Sequence, residues 1–125
     1  GLINRSFFTY GSLPSGISVQ FDTFNLTGSG GGSLNLSGGL VKLISIENTS
    51  TGSGTNYNIN LYGTGLAGLI QPFGSGHLGS TIYPSSYKIF YNPYVGHPIS
   101  TGERYFYLKN TGDNVTYEMA VMGLV

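Results

Sequence analysis

The chain contains no cysteine and no tryptophan, and charged residues make up only 8% of its 125 positions. Each absence excludes something. Without cysteine there is no disulfide, no thiolate catalysis and no cysteine-bound zinc. Five basic residues balance five acidic ones, so there is no cluster of Lys and Arg to attract nucleic acid. The apolar runs are too short for a transmembrane span, and membrane insertion is not expected. No secretory leader is visible, and a chain opening on Gly1 reads as a processed form. Long amphipathic helices are missing too, because Gly or Pro interrupts nearly every window of a dozen residues. Soluble monomers usually keep about a quarter of their residues charged. A neutral surface of Gly, Ser, Thr, Asn and Tyr suits packing against copies of the same chain, a coat of sugar, or both.

What is present is enough for one folded domain. Hydrophobic residues are 39% and aromatic residues 14% of the chain, which separates it from disordered tails. Five Asn-x-Ser/Thr sequons occur, at Asn4, Asn25, Asn35, Asn48 and Asn114. Chance pairing would give roughly two, so all five are candidate glycosylation sites, although Asn, Ser and Thr also share turns for their own reasons.

Apolar and polar residues alternate along much of the chain, the period of a half-buried strand. Ile17, Val19 and Phe21 point one way and Ser18, Gln20 and Asp22 the other. Phe24 and Leu26 continue the apolar series after a one-residue phase shift, as a bulge would produce. A Gly-rich stretch, residues 28–32, leads to alternating Leu34 and Leu36. The most organised feature is an internal repeat. Lys42-x-Ile44-x-Ile46-x-Asn48-Thr49 matches Arg104-x-Phe106-x-Leu108-x-Asn110-Thr111 at an offset of 62. Tyr57-x-Ile59-x-Leu61-x-Gly63 matches Tyr117-x-Met119-x-Val121-x-Gly123 at an offset of 60. Each unit reads as strand, Asn-Thr turn, strand, with Asn supplying left-handed dihedrals or an Asx turn. Two such hairpins, each with one apolar face, bury those faces by packing as two sheets. Between them the pattern is less regular. Leu66, Leu69 and Ile70 fit a helical turn or a buried loop, and Tyr87 to Tyr91 fits a short edge strand framed by Pro84 and Pro93.

No catalytic or cofactor motif stands out. His77 and His97 are the only histidines. Each sits beside Gly or Pro, and metal ligation would need Asp22, Asp113 or a Glu at no recognisable spacing. No Gly-x-Ser-x-Gly elbow occurs. Among the acids, Glu47 and Glu118 alternate with core positions and should face outward, and Asp113 fits a turn. No enzymatic activity, metal or cofactor is expected.

Two features point to recognition. Tyr83, Tyr87, Tyr91 and Tyr94 surround Lys88, Ile89 and Phe90, and tyrosine rings make both subunit interfaces and sugar platforms. At the N-terminus, Leu2, Ile3, Phe7 and Phe8 are strongly apolar. They either form the domain's own first strand or dock into a neighbouring subunit by strand addition. In the second case residues 1–12 are a donor segment and residues 13–125 the sandwich, and deleting residues 1–10 should leave a folded monomer.

Ile46-Glu47-Asn48-Thr49 and Leu108-Lys109-Asn110-Thr111-Gly112-Asp113, each followed by an alternating Tyr strand, give the chain a resemblance to the secreted fibre subunits grouped with TasA and the archaeal bundling pili. The resemblance covers the two repeat units, about a third of the chain. It implies a β-sandwich that polymerises by donor-strand exchange.

The sequence therefore predicts an all-β protein: a single β-sandwich, Ig-like or jelly-roll-like, with two related hairpins about 60 residues apart and no long helix. The expected role is the structural subunit of an extracellular filament that assembles from copies of itself and carries glycans at the cell surface. The alternatives are a viral capsid or decoration protein located in the virion, and a carbohydrate-binding module.

Overall fold

Alternating stretches become strands because a pleated backbone sends successive side chains to opposite faces. The computed structural model describes residues 3–27, 33–52, 55–63, 80–92 and 94–125. In chain order the strands are β1 (Arg5–Leu13), β2 (Ser18–Asp22), β3 (Leu26–Thr27), β4 (Ser33–Leu34), β5 (Leu40–Asn48), β6 (Ile59–Tyr62), β7 (Ser80–Ile82), β8 (Tyr87–Tyr91), β9 (His97–Pro98), β10 (Tyr105–Asn110) and β11 (Val115–Leu124). The one helical element among the described residues is a 3-10 turn, Thr55–Tyr57. The fold is all-β, as the alternation predicts.

One sheet, here the β1 sheet, runs β1-β11-β5-β8, with β9 also paired to β5. The other, the β2 sheet, runs β2-β10-β6-β7, and β3 and β4 form a separate ribbon. The pairings nest: β1 with β11, β2 with β10, β5 with β8 and β6 with β7, all antiparallel. Two further pairings, β11 with β5 and β10 with β6, close the folded-over ribbon. First strand against last, second against next to last, is the order of a jelly roll; the immunoglobulin arrangement of sheets is different.

The inward faces meet in one core. Phe7, Leu13, Ile44, Ile46 and Val121 of the β1 sheet pack against Phe21, Ile59, Leu61, Phe106 and Leu108 of the β2 sheet. Phe106 stacks on Phe21 with ring centres 5.1 Å apart, and Tyr117 meets Phe21 edge-on at 6.1 Å. Each such side chain contributes about 1.5–3 kcal/mol by leaving water.

The repeat units differ from expectation in an informative way. β5 and β6 lie in different sheets, and so do β10 and β11. The units are arches that cross from one sheet to the other at the same end of the sandwich, not hairpins. An arch turns both of its apolar faces toward each other, so it needs no second unit to cover it. Where the chain leaves the ladder, backbone groups lose their strand partners and must find others. Asn48 and Asn110, both fully buried, supply them. Asn48 Nδ2 donates to the carbonyls of Tyr57 (2.7 Å) and Ile82 (3.0 Å), and its Oδ1 accepts from Ser50 N. Asn110 Nδ2 donates to the carbonyls of Leu13 (3.0 Å), Pro14 (3.3 Å) and Asp113, and its Oδ1 accepts from Gly112 N. These are Asx turns without left-handed backbone. Among the described non-glycine residues only Ser85 has a positive φ, 62°.

Two other expectations change. The phase shift at Phe24 is a turn and not a bulge, with Asn25 N bonded to the Asp22 carbonyl and Phe24 N to Asp22 Oδ1. The expected boundary between residues 12 and 13 falls inside β1, whose nine residues all pair with β11 of the same chain. Phe7 and Leu13 are buried in the core. Deleting residues 1–10 would therefore strip the edge from β11 and remove Phe7, so a folded monomer is no longer the expected product. Leu2, residues 28–32, Leu66, Leu69, Ile70, His77 and Pro93 lie outside the described residues.

Candidate interaction face

The register of the β1 sheet assembles an outer face from four strands. Ser6, Met122, Leu43 and Tyr91 form one row across β1, β11, β5 and β8. Phe8, Ala120, Ser45 and Ile89 form the next, and Tyr10, Glu118, Glu47 and Tyr87 the third. With strands about 4.8 Å apart, the face is about 14 Å wide from β1 to β8. Phe8, Tyr10, Tyr87, Ile89 and Tyr91 are each more than half exposed. They stand as two walls, on β1 and β8, above a floor of small residues, Ala120 and Ser45. A groove of about 330 Å³ runs along the β1 wall, lined by Phe8, Tyr10, Ser45, Glu47, Glu118 and Ala120 among others. Large apolar side chains exposed on both sides of a groove mark it as a candidate place for something else to bind.

Glu47 and Glu118 are direct register partners. Like charges placed opposite each other across two strands are unfavourable. Neither glutamate has an ion-pair partner among the described residues.

The candidates from the sequence separate in space. Tyr87 and Tyr91 share the outer face of β8 with Ile89, as expected for an edge strand with period 2. Tyr83, exposed, precedes the turn into β8, and Tyr94 follows β8 with its carbonyl accepting from buried Lys42 Nζ at 3.1 Å. Phe7 and Phe8 are consecutive in a strand and so point in opposite directions, Phe7 into the core and Phe8 out. Ile3 lies exposed beside the start of β1. Tyr10 and the adjacent glutamates were missed as members of one surface. Tyr10 was visible by alternation from Phe8, whereas the glutamate pair depends on a register between strands 71 residues apart.

The sequons also separate. Asn4, Asn25, Asn35 and Asn114 are exposed. Asn4 brackets the backbone of Val125 with both side-chain atoms, and Asn114 Oδ1 accepts from Ser15 N at 2.9 Å. Asn48 is corrected as a glycan site: its amide is fully buried and donates two internal hydrogen bonds, which a glycan on Nδ2 would break.

The remaining polar groups hold structure together. Asp22 and Arg104 form a two-bond pair, Nε to Oδ1 at 2.9 Å and Nη2 to Oδ2 at 2.6 Å. The guanidinium also lies over Phe24 and Tyr105, 4.0 and 4.8 Å from their ring centres. Hydrogen bonding to Arg104 holds the Asp22 carboxyl below the usual aspartate range, against a smaller opposing effect of burial. Burial pushes the Tyr117 phenol up. Buried His97 has its Nε2 3.3 Å from Glu103 Oε2. No three His, Cys, Asp or Glu come together as a metal site among the described residues. Among those residues no helix is long and apolar enough to cross a membrane. No protein-family model matches the chain, and neither a curated protein nor a solved structure does.

Proposed function

We propose that this protein is a non-enzymatic structural subunit that assembles with copies of itself through the outer face of its β1 sheet. The observation that carries this reading is the aromatic face of Phe8, Tyr10, Tyr87, Ile89 and Tyr91 on a chain with zero net charge. Net charge normally keeps soluble domains apart. A neutral domain that displays exposed aromatic residues on both edge strands of one sheet is suited to association. The nested strand order favours a virion coat or decoration protein, since double-sheet jelly rolls recur in capsid proteins.

A second reading, an extracellular filament built by strand exchange, is supported by the place of β1. It is the first strand of the chain and lies at a sheet edge. An exchanged β1 from a neighbouring copy would reproduce the same nine-residue pairing with β11. In either setting Asn4, Asn25, Asn35 and Asn114 are the accessible glycan acceptors.

Electron microscopy of the native protein, with intact mass on the same sample, tests the proposal. Closed particles or a regular coat support the virion reading, and long fibres support the filament. A species that remains monomeric at all concentrations overturns self-assembly. Glycan binding that disappears with Tyr87→Ala and Tyr91→Ala would instead identify a sugar-binding module.

A further inference from the structure

The two outer faces of the sandwich carry opposite charges at matching places. On the β1 sheet, Glu47 and Glu118 stand side by side at one end of the groove. On the β2 sheet, Lys109 stands between Ser18 and Asn60. It points outward because its neighbours Leu108 and Asn110 are buried. Glu47 and Lys109 occupy the same position in the two repeat units, each one residue before the buried Asn of its arch. Both arches bend at the same end of the sandwich, so the two charges lie at that end on opposite faces.

Two residues before Lys109, half-buried Tyr107 is stacked on buried Tyr62 with ring centres 5.2 Å apart, its hydroxyl accepting from Gln20 Nε2 at 3.1 Å. Two residues before Glu47 lies Ser45, part of the small-residue floor between Phe8 and Ile89. Stacking a second copy along the sandwich normal would bring its Lys109 toward the two glutamates, since both lie at the arch end of their faces.

We propose that the glutamate pair on the β1-sheet face of one copy receives Lys109 from the β2-sheet face of the next, so that subunits stack head to tail; this rests on the self-assembly reading above. Back-to-back contact of two β1-sheet faces offers the glutamates no cation, since none stands in the three outward rows of that face. A head-to-tail contact uses different surfaces on its two sides, so it closes into a ring or runs on as a fibre according to the rotation per subunit.

Sedimentation velocity on three samples tests the contact: Glu47→Lys with Glu118→Lys, Lys109→Glu, and a 1:1 mixture of the two. Each variant alone should associate about a hundred-fold more weakly than wild type, because it opposes like charges across the contact. The mixture should recover association, because each variant then meets the opposite charge on its neighbour. Circular dichroism on each sample confirms that the sandwich is folded. Wild-type association that persists in both single samples overturns the head-to-tail contact while leaving self-assembly in place. Folded variants that lose association yet fail to recover on mixing also overturn it. A wild-type chain that never associates overturns both proposals.

Discussion

The two arches begin from nearly the same sequence and differ in what they hold. Asn48 gathers two carbonyls, from Tyr57 and Ile82. Asn110 gathers three, from Leu13, Pro14 and Asp113, and so ties the end of β1 to the second arch. The cations that open the units also diverge. Lys42 is buried, whereas Arg104 is half-exposed and locked to Asp22. Before the turn the outward residue is Glu47 in one unit and Lys109 in the other. Positions that face the interior are alike because the bend imposes one chemical requirement on both. Positions that face outward are free to differ, and there the units carry opposite charge.

The comparison can be broken most severely at the buried amides. Asn110→Ala leaves more backbone groups without partners than Asn48→Ala, and each buried orphan costs about 1–3 kcal/mol less whatever water recovers. The expected losses are about 3 kcal/mol for Asn110→Ala and about 2 kcal/mol for Asn48→Ala, measured by urea unfolding. An equal or reversed order would show that the number of carbonyls held is not what distinguishes the arches.

A finer contrast lies in the arch glycines. A Cβ on Gly112 would run into the backbone of Asn56, while one on Gly52 would meet only the ring of Tyr57. A side chain can swing away and a backbone cannot. Gly112→Ala should cost about 2 kcal/mol and Gly52→Ala under about 1 kcal/mol. Thermal melts of both variants would expose any error in that ranking.

The smallest effect is expected at the opening of the second unit. Asp22 is held below the usual aspartate range in the folded state by Arg104. The stabilisation from this shift is present above the unfolded-state value of about 3.9 and disappears as pH falls through the lower folded-state value. The Tm of wild type should therefore drop toward, or below, that of Asp22→Asn as the solution is acidified. Parallel acid limbs for the two proteins would show that the pair contributes nothing through titration.

Much of the fold was legible locally. Alternation located β5, β8, β10 and β11, and the repeat pointed to the two Asn residues. Arch and hairpin were not separable, because both show a strand with one apolar face, a polar turn and another such strand. What separates them is which strand the second one pairs with, and β6 pairs with β10 across more than 40 residues of chain. The interaction face was half legible for the same reason. Tyr87 and Tyr91 follow from period 2 within one strand. Their alignment with Phe8 and Tyr10 depends on two intervening strands and three registers. Treating Leu2, Ile3, Phe7 and Phe8 as one apolar group overlooked that neighbouring strand residues point in opposite directions.

The nesting of β1 against β11 also sets an order of events during synthesis. Arg5 pairs with Gly123 and Leu13 with Val115, so the first strand waits for almost the whole chain to be made. At about 5–20 residues per second, that interval is roughly 5–20 s on a ribosome. Throughout it Phe7 and Phe8 have no strand to join. Closure of β1 on β11 therefore comes after the synthesis of every other strand of the two sheets.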